Sequence, residues 1–142
     1  MTKILTILIL ILITATQAFS QTKLPDGSWE DKNLSFAIIQ EEVKQNGYLE
    51  LCIQKNGICI ENLTIGFTII ILDGAGKEIW SSLWTGKNMR IKFERSFLEA
   101  EKIIVEAGAP FVINNLTGTR IKTGNRLKIE KLSKASNKKL NW

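Results

Sequence analysis

The sequence predicts an all-β chain folded as an antiparallel β-sandwich of about seven to nine strands. Three observations carry this. Beyond residue 33 the apolar residues recur at every second position, Gly-, Asn- and Asp-containing turns interrupt them at short intervals, and no segment sustains a helical period. A chain of 142 residues, 44% hydrophobic and 23% charged, supports one modest core and is too apolar for disorder along its whole length.

The first segment is an address. Residues 1–20 carry one positive charge at Lys3 and an apolar stretch from Ile4 to Ile13 broken only by Thr6. Small residues follow at Ala18 and Ser20, three and one before a cleavage point at Gln21. That is the pattern of a secretory signal peptide. A membrane-spanning helix needs roughly 20 predominantly apolar residues, and this core is too short. No cysteine adjoins the cleavage point, which argues against a bacterial lipid anchor. The expectation is an exported chain with no transmembrane anchor after processing, residing in the periplasm, at the cell surface or in the medium.

Residues 21–33, polar and holding the turn Pro25-Asp26-Gly27, read as an irregular lead-in. Strand patterns then follow at Ser35–Glu42, Tyr48–Gln54, Thr64–Leu72, Glu78–Thr85, Met89–Glu94, Lys102–Gly108, Phe111–Asn114 and Arg126–Leu132. In the Met89 strand Met89, Ile91 and Phe93 alternate with charges, whereas Ile70 and Leu72 make the far end of the Thr64 strand apolar on both faces. Glu94–Lys102 carries the one helical hint, with Phe97, Leu98 and Ala100 suiting a single turn between sheets. Residues 34–133 thus form the sandwich domain, and residues 134–142 a basic, flexible tail. Within the sandwich class the strand number suits an immunoglobulin-like or fibronectin-III-like form, with a small β-barrel as the alternative. No motif ties the chain to a named family.

Charge is unevenly spread. Residues 21–119 hold 10 basic and 13 acidic side chains, net −3, while residues 120–142 hold 8 basic and 1 acidic, net +7. The basic character belongs to the C-terminal end and does not describe a nucleic-acid-binding face. Lys134, Lys138, Lys139 and Trp142 are the candidate contacts to an anionic surface, against a simpler reading as a solubilising tail.

Cys52 and Cys59 flank an Asn56-Gly57 hairpin signal. A structural disulfide in an oxidising compartment is the leading reading, ahead of two free thiols and of a redox pair, whose spacing would be C-x-x-C. Two loop lengths keep the hydrophobic faces in register. A two-residue loop, Asn56-Gly57, pairs Lys55 with Ile58 and leaves the cysteines two positions off. A four-residue loop, Gln54–Gly57, sets Cys52 opposite Cys59, Leu51 opposite Ile60 and Ile53 opposite Ile58. The longer loop also sets Glu50 against Glu61, an unfavourable like-charge pair.

Chemistry-bearing residues are scarce. The chain contains no histidine, which excludes His-based acid–base catalysis, Ser-His-Asp triads and the usual Cys/His zinc sites. The adjacent acids Glu41 and Glu42 point to opposite faces of a strand and form no dyad. Asp73-Gly74-Ala75-Gly76 lacks the later residues of a phosphate loop and is too poor in oxygen ligands for calcium. No catalytic residue, metal or cofactor is expected. Trp80, Ser82 and Trp84 share one face of a strand and are the candidate binding residues if the rings are exposed; the competing reading buries them in the core. Three Asn-x-Ser/Thr sequons, at Asn33, Asn62 and Asn115, would carry glycans in a eukaryotic secretory route. The Lys-, Ile- and Asn-rich composition favours a bacterium instead. The functional expectation is a non-catalytic exported module working through protein–protein contacts, as an accessory or structural component of a cell-envelope or surface assembly. A carbohydrate-binding module using surface tryptophans is the alternative.

Overall fold

The computed structural model describes residues 21–86 and 89–135. They form twelve strands and no helix: β1 (Thr22–Lys23), β2 (Trp29–Glu30), β3 (Leu34–Glu41), β4 (Tyr48–Lys55), β5 (Ile58–Cys59), β6 (Leu63–Leu72), β7 (Glu78–Gly86), β8 (Met89–Lys92), β9 (Lys102–Ala107), β10 (Phe111–Asn114), β11 (Arg120–Lys122) and β12 (Lys128–Leu132). The signal segment and residues 136–142 lie outside the described residues.

The smaller sheet is β3-β4 with β8 and β5 end to end along the far side of β4. The larger sheet runs β1-β2-β11-β10-β6-β9-β12, with β7 on the other side of β6. Alternation assigns the faces. Leu63, Ile65, Phe67, Ile69 and Ile71 of β6 point inward with Ile103, Val105 and Ala107 of β9, and meet Leu34, Phe36, Leu49, Leu51, Ile53, Met89 and Ile91 of the smaller sheet. Phe36 crosses between the sheets to Phe67, ring centroids 6.0 Å apart.

Three expectations need correction. The strands number twelve, not seven to nine, because the two- and three-residue strands β1, β2, β5 and β11 add to the eight patterns read from the sequence. Pairing is mixed, not purely antiparallel, since β2 lies parallel to β11. The lead-in is ordered. Leu24 and Ser28 close a β1–β2 hairpin, and the Asp31 N–H donates to the Lys122 carbonyl at 2.8 Å. Period-two counting misses two-residue strands, which are set by their neighbours. At Glu94–Lys102 the chain makes a turn closed by Ala100 N–H to Phe97 O at 3.1 Å, without helix. Gly47, at φ 59°, is required where Phe93 N–H reaches its carbonyl, because a Cβ there would collide with the Arg95 carbonyl oxygen.

Candidate functional site

In the disulfide hairpin, local turn chemistry decides between the two loop lengths. The Cys52 and Cys59 sulfurs lie 2.18 Å apart, at disulfide distance, with Cα atoms 5.7 Å apart. The loop is the two-residue one. Asn56 and Gly57 take φ of 54° and 79°, as a type I′ turn requires, so Lys55 pairs with Ile58 and Gln54 with Cys59. The bridge therefore runs diagonally, which the strong twist of a two-stranded ribbon allows. Ile60 N–H donates to Ile53 O at 2.8 Å, and Ile58 is left outside the core, 70% exposed. Glu50 does not face Glu61; it pairs with Arg90 on β8 at 2.9 Å.

The tryptophans turn inward. Trp84 lies opposite Phe67, Ser82 opposite Ile69 and Trp80 opposite Ile71, all on the core side of the sheet. Trp80 packs edge-on to Phe93 at 4.8 Å and tilted against Phe97 at 5.7 Å. Trp84 also packs on the core, its indole N–H buried without an acceptor. No two-ring platform faces solvent on this strand; what it presents outward is Ser81, Leu83 and Thr85.

Those outward residues lead to a feature the tryptophans had obscured. On the outer face of the larger sheet, Ser81 of β7, Ile70 of β6, Ile104 of β9 and Glu130 of β12 form one row across four strands. The row on one side is Leu83, Thr68, Glu106 and Lys128; on the other are Leu72, Lys102 and Leu132. Leu83, Ile70, Ile104 and Leu132 thus lie along a diagonal, with Leu72 beside it. Leu83 is 71% and Leu132 66% exposed. Charges gather at the β12 end: Lys102 and Lys128 lie 3.5 and 3.3 Å from Glu130, and their hydrogen bonds and positive charge lower its carboxyl pKa. The Lys102–Glu130 pair crosses the Ile104–Leu132 diagonal, setting Leu132 apart from the apolar centre of Leu83, Ile70, Leu72 and Ile104. At the opposite end of the face a shallow hollow of about 190 Å³ opens over Gly66 and Gly108, walled by Thr85, Phe111 and Ile113. An apolar centre with a polar rim is the anatomy of a protein-binding patch. Its sequence signals are Ile70, Leu72 and Ile104, apolar where alternation calls for polar residues.

Two buried carboxylates also escaped the sequence reading. Glu41, opposite Leu49 on the inner face, is wholly buried and accepts from the Ser133 hydroxyl and the Lys134 N–H. Asp31, 1% exposed, accepts from Lys55 Nζ at 2.7 Å and from Asn33 N–H. Each joins segments far apart in sequence, so adjacency could not reveal it. Lys134 is held by its main chain, leaving its side chain exposed; Lys138, Lys139 and Trp142 lie outside the described residues. The Asn62 and Asn115 sequons are neighbours, with Thr64 Oγ1 donating to Asn115 Oδ1 at 2.6 Å.

A groove of about 640 Å³ lies between the disulfide hairpin and β8, lined by Ile39, Glu50, Glu61, Asn62 and Arg90 among others. Among the described residues no three His, Cys, Asp or Glu side chains converge as a metal site, and no helix is long and apolar enough to cross a membrane. Comparison of the chain with protein-family models, with curated proteins and with solved structures finds no match.

Proposed function

We propose that the protein is an exported, non-catalytic β-sandwich module that works through protein–protein contacts, as an accessory or structural part of a cell-envelope or surface assembly. The observation that carries this reading is the apolar group of Leu83, Ile70, Leu72 and Ile104 on the solvent-facing side of the larger sheet, bordered by Thr68, Glu106 and the Lys102–Glu130 pair. Water-facing sheet positions are ordinarily polar, and a contiguous apolar patch with a polar border suits a protein partner. Disulfide distance between Cys52 and Cys59 supports export to an oxidising compartment. The strand order supports a fibronectin-III-like form. β7, the fourth main strand, hydrogen-bonds to β6, the third, whereas in the constant-type immunoglobulin order the fourth strand joins the other sheet. The inward turn of Trp80 and Trp84 gives the sugar-binding alternative no surface of its own.

The test is site-specific photo-cross-linking in the native host, with the reactive side chain placed at Ile104 or, as control, at Gln54 on the outer face of the smaller sheet. The expected result is a heavier adduct of one defined mass, other than twice the chain, from Ile104 alone. Equal adducts from both positions, or none from Ile104, would overturn the reading.

A further inference from the structure

Sheet edges carry unpaired main-chain groups, and natural proteins blunt them with charges, proline, bulges, brevity or a covering segment. Most edges of this molecule are treated so. The β3 edge has a bulge between Ile38 and Gln40 and is clasped at Glu41 to the end of β12; β8 is four residues long and carries Arg90 and Lys92; β1 has only two residues. β7 is the exception. It spans nine residues, Glu78–Gly86, pairs among the described residues only with β6, and from Ile79 to Gly86 holds neither a charge nor a proline. Its one irregularity lies at the Glu78 end.

We infer that this edge pairs with the same edge of a second copy of the chain, antiparallel about a two-fold axis at Ser82. The inference rests on the reading of the protein as a module of protein contacts, and it uses the strand edge where that reading uses the outer face. The strand is complementary to itself in this register. Overlap is regular from Trp80 to Trp84, short of the irregularity at the Glu78 end: Ser82 meets Ser82 of the second copy, Trp80 meets Trp84, and Ser81 meets Leu83. Glu78, the strand's one charged residue, falls at the Gly86 end of the second copy's strand, so no like charges are opposed. Pairing of even offset keeps both faces: core-side residues stay core-side, and the outer apolar groups of the two copies join across the seam. The row becomes β12-β9-β6-β7 followed by the same four strands reversed. Leu83, the most exposed member of that group, comes to lie beside Ser81 of the second copy. A two-fold contact consumes both β7 edges, so the assembly closes at a dimer.

Sedimentation of the mature chain, residues 21–142, across the micromolar range should show a monomer–dimer equilibrium. Leu83→Lys should raise the dissociation constant at least about tenfold with an unchanged Tm at concentrations low enough that both chains are monomeric, because a charge is placed at the seam on a residue that the monomer leaves exposed. Ser82→Cys should form a covalent dimer on mild oxidation, and Gln54→Cys should not. A monomer at every concentration, a dimer that ignores Leu83→Lys and resists trapping at Ser82, or open-ended aggregation would each overturn the inference. A monomer that still yields the Ile104 adduct in the host would overturn it alone and leave the proposed function standing.

Discussion

The two flanks of the sandwich are finished differently. On one, β3 and β12 are drawn together by a buried carboxylate: Glu41 receives the Ser133 hydroxyl and the Lys134 N–H, while Ser133 N–H donates to Glu101 O at 2.8 Å. On the other, where β7 and β8 end the two sheets, the contact is aromatic: Trp80, Phe93 and Phe97 pack ring on ring, with the Arg95 guanidinium 4.5 Å from the centre of the Phe97 ring. A hydrogen-bonded clasp occupies main-chain groups and closes an edge. Aromatic packing fills the interior between the sheets yet leaves the edge groups of β7 free. The flank held by apolar contacts is therefore the one able to accept another strand.

The largest expected effect tests the aromatic flank. Trp80→Ala should lower unfolding free energy by about 3 kcal/mol, the low end for removing a large aromatic, since the ring is only half-buried. Urea denaturation measures it, and a loss below about 1 kcal/mol would mean that the ring cluster does not hold that flank. The clasp comes next. Glu41→Ala should cost about 2 kcal/mol, because it leaves a part-buried main-chain N–H and hydroxyl without their acceptor and empties a fully buried position. Truncation after Leu132 should reproduce most of that loss, while truncation after Ala135 should leave Tm unchanged; equal effects of the two would place the anchoring elsewhere. Breaking the hairpin bridge with Cys52→Ser should cost about 2 kcal/mol, as expected for closing a short loop, and should leave both flanks intact by near-ultraviolet circular dichroism.

The smallest effect lies away from both flanks, where the lead-in meets β11. Hydrogen bonds from Ser28 and Lys122 hold the Asp26 carboxyl well below the usual carboxylate range. A group whose pKa is depressed by folding stabilises the folded state above its unfolded value, about 3.9 for aspartate, and the contribution fades as pH falls toward the lower folded value. The ion pair is exposed, so the change in stability should be slight. Carboxyl chemical shifts should show Asp26 titrating below ordinary aspartates, and Lys122→Met should move it upward.

Much of the sandwich was legible because strands of four or more residues, half-buried, enforce alternation: Met89-Arg90-Ile91-Lys92 and Tyr48 to Gln54 could be assigned from pattern alone. The candidate site was legible only as an anomaly. Ile70 and Leu72 broke the pattern, as did Ile104 between Ile103 and Val105, but Leu83 and Leu132 each looked like an ordinary member of its own strand. Their alignment depends on the register of β6 with β7 and β9, and of β9 with β12. The strand of Trp80 and Trp84 was undecidable locally, since Ile79 and Leu83 offered an equally apolar opposite face.

By itself the sequence determined what is local: the alternation that makes strands, the Asn56-Gly57 reversal, the reach of Cys52 to Cys59, and the lack of histidine that removes whole classes of catalysis. Tertiary structure alone decided which way the tryptophans turn, which carboxylates become internal acceptors, and which apolar residues gather into a patch. The physical reason is range. Turn and strand preferences act within a few residues, whereas a shared face or a buried acceptor arises where strands distant in sequence come into register, and every side chain on the strand follows that register.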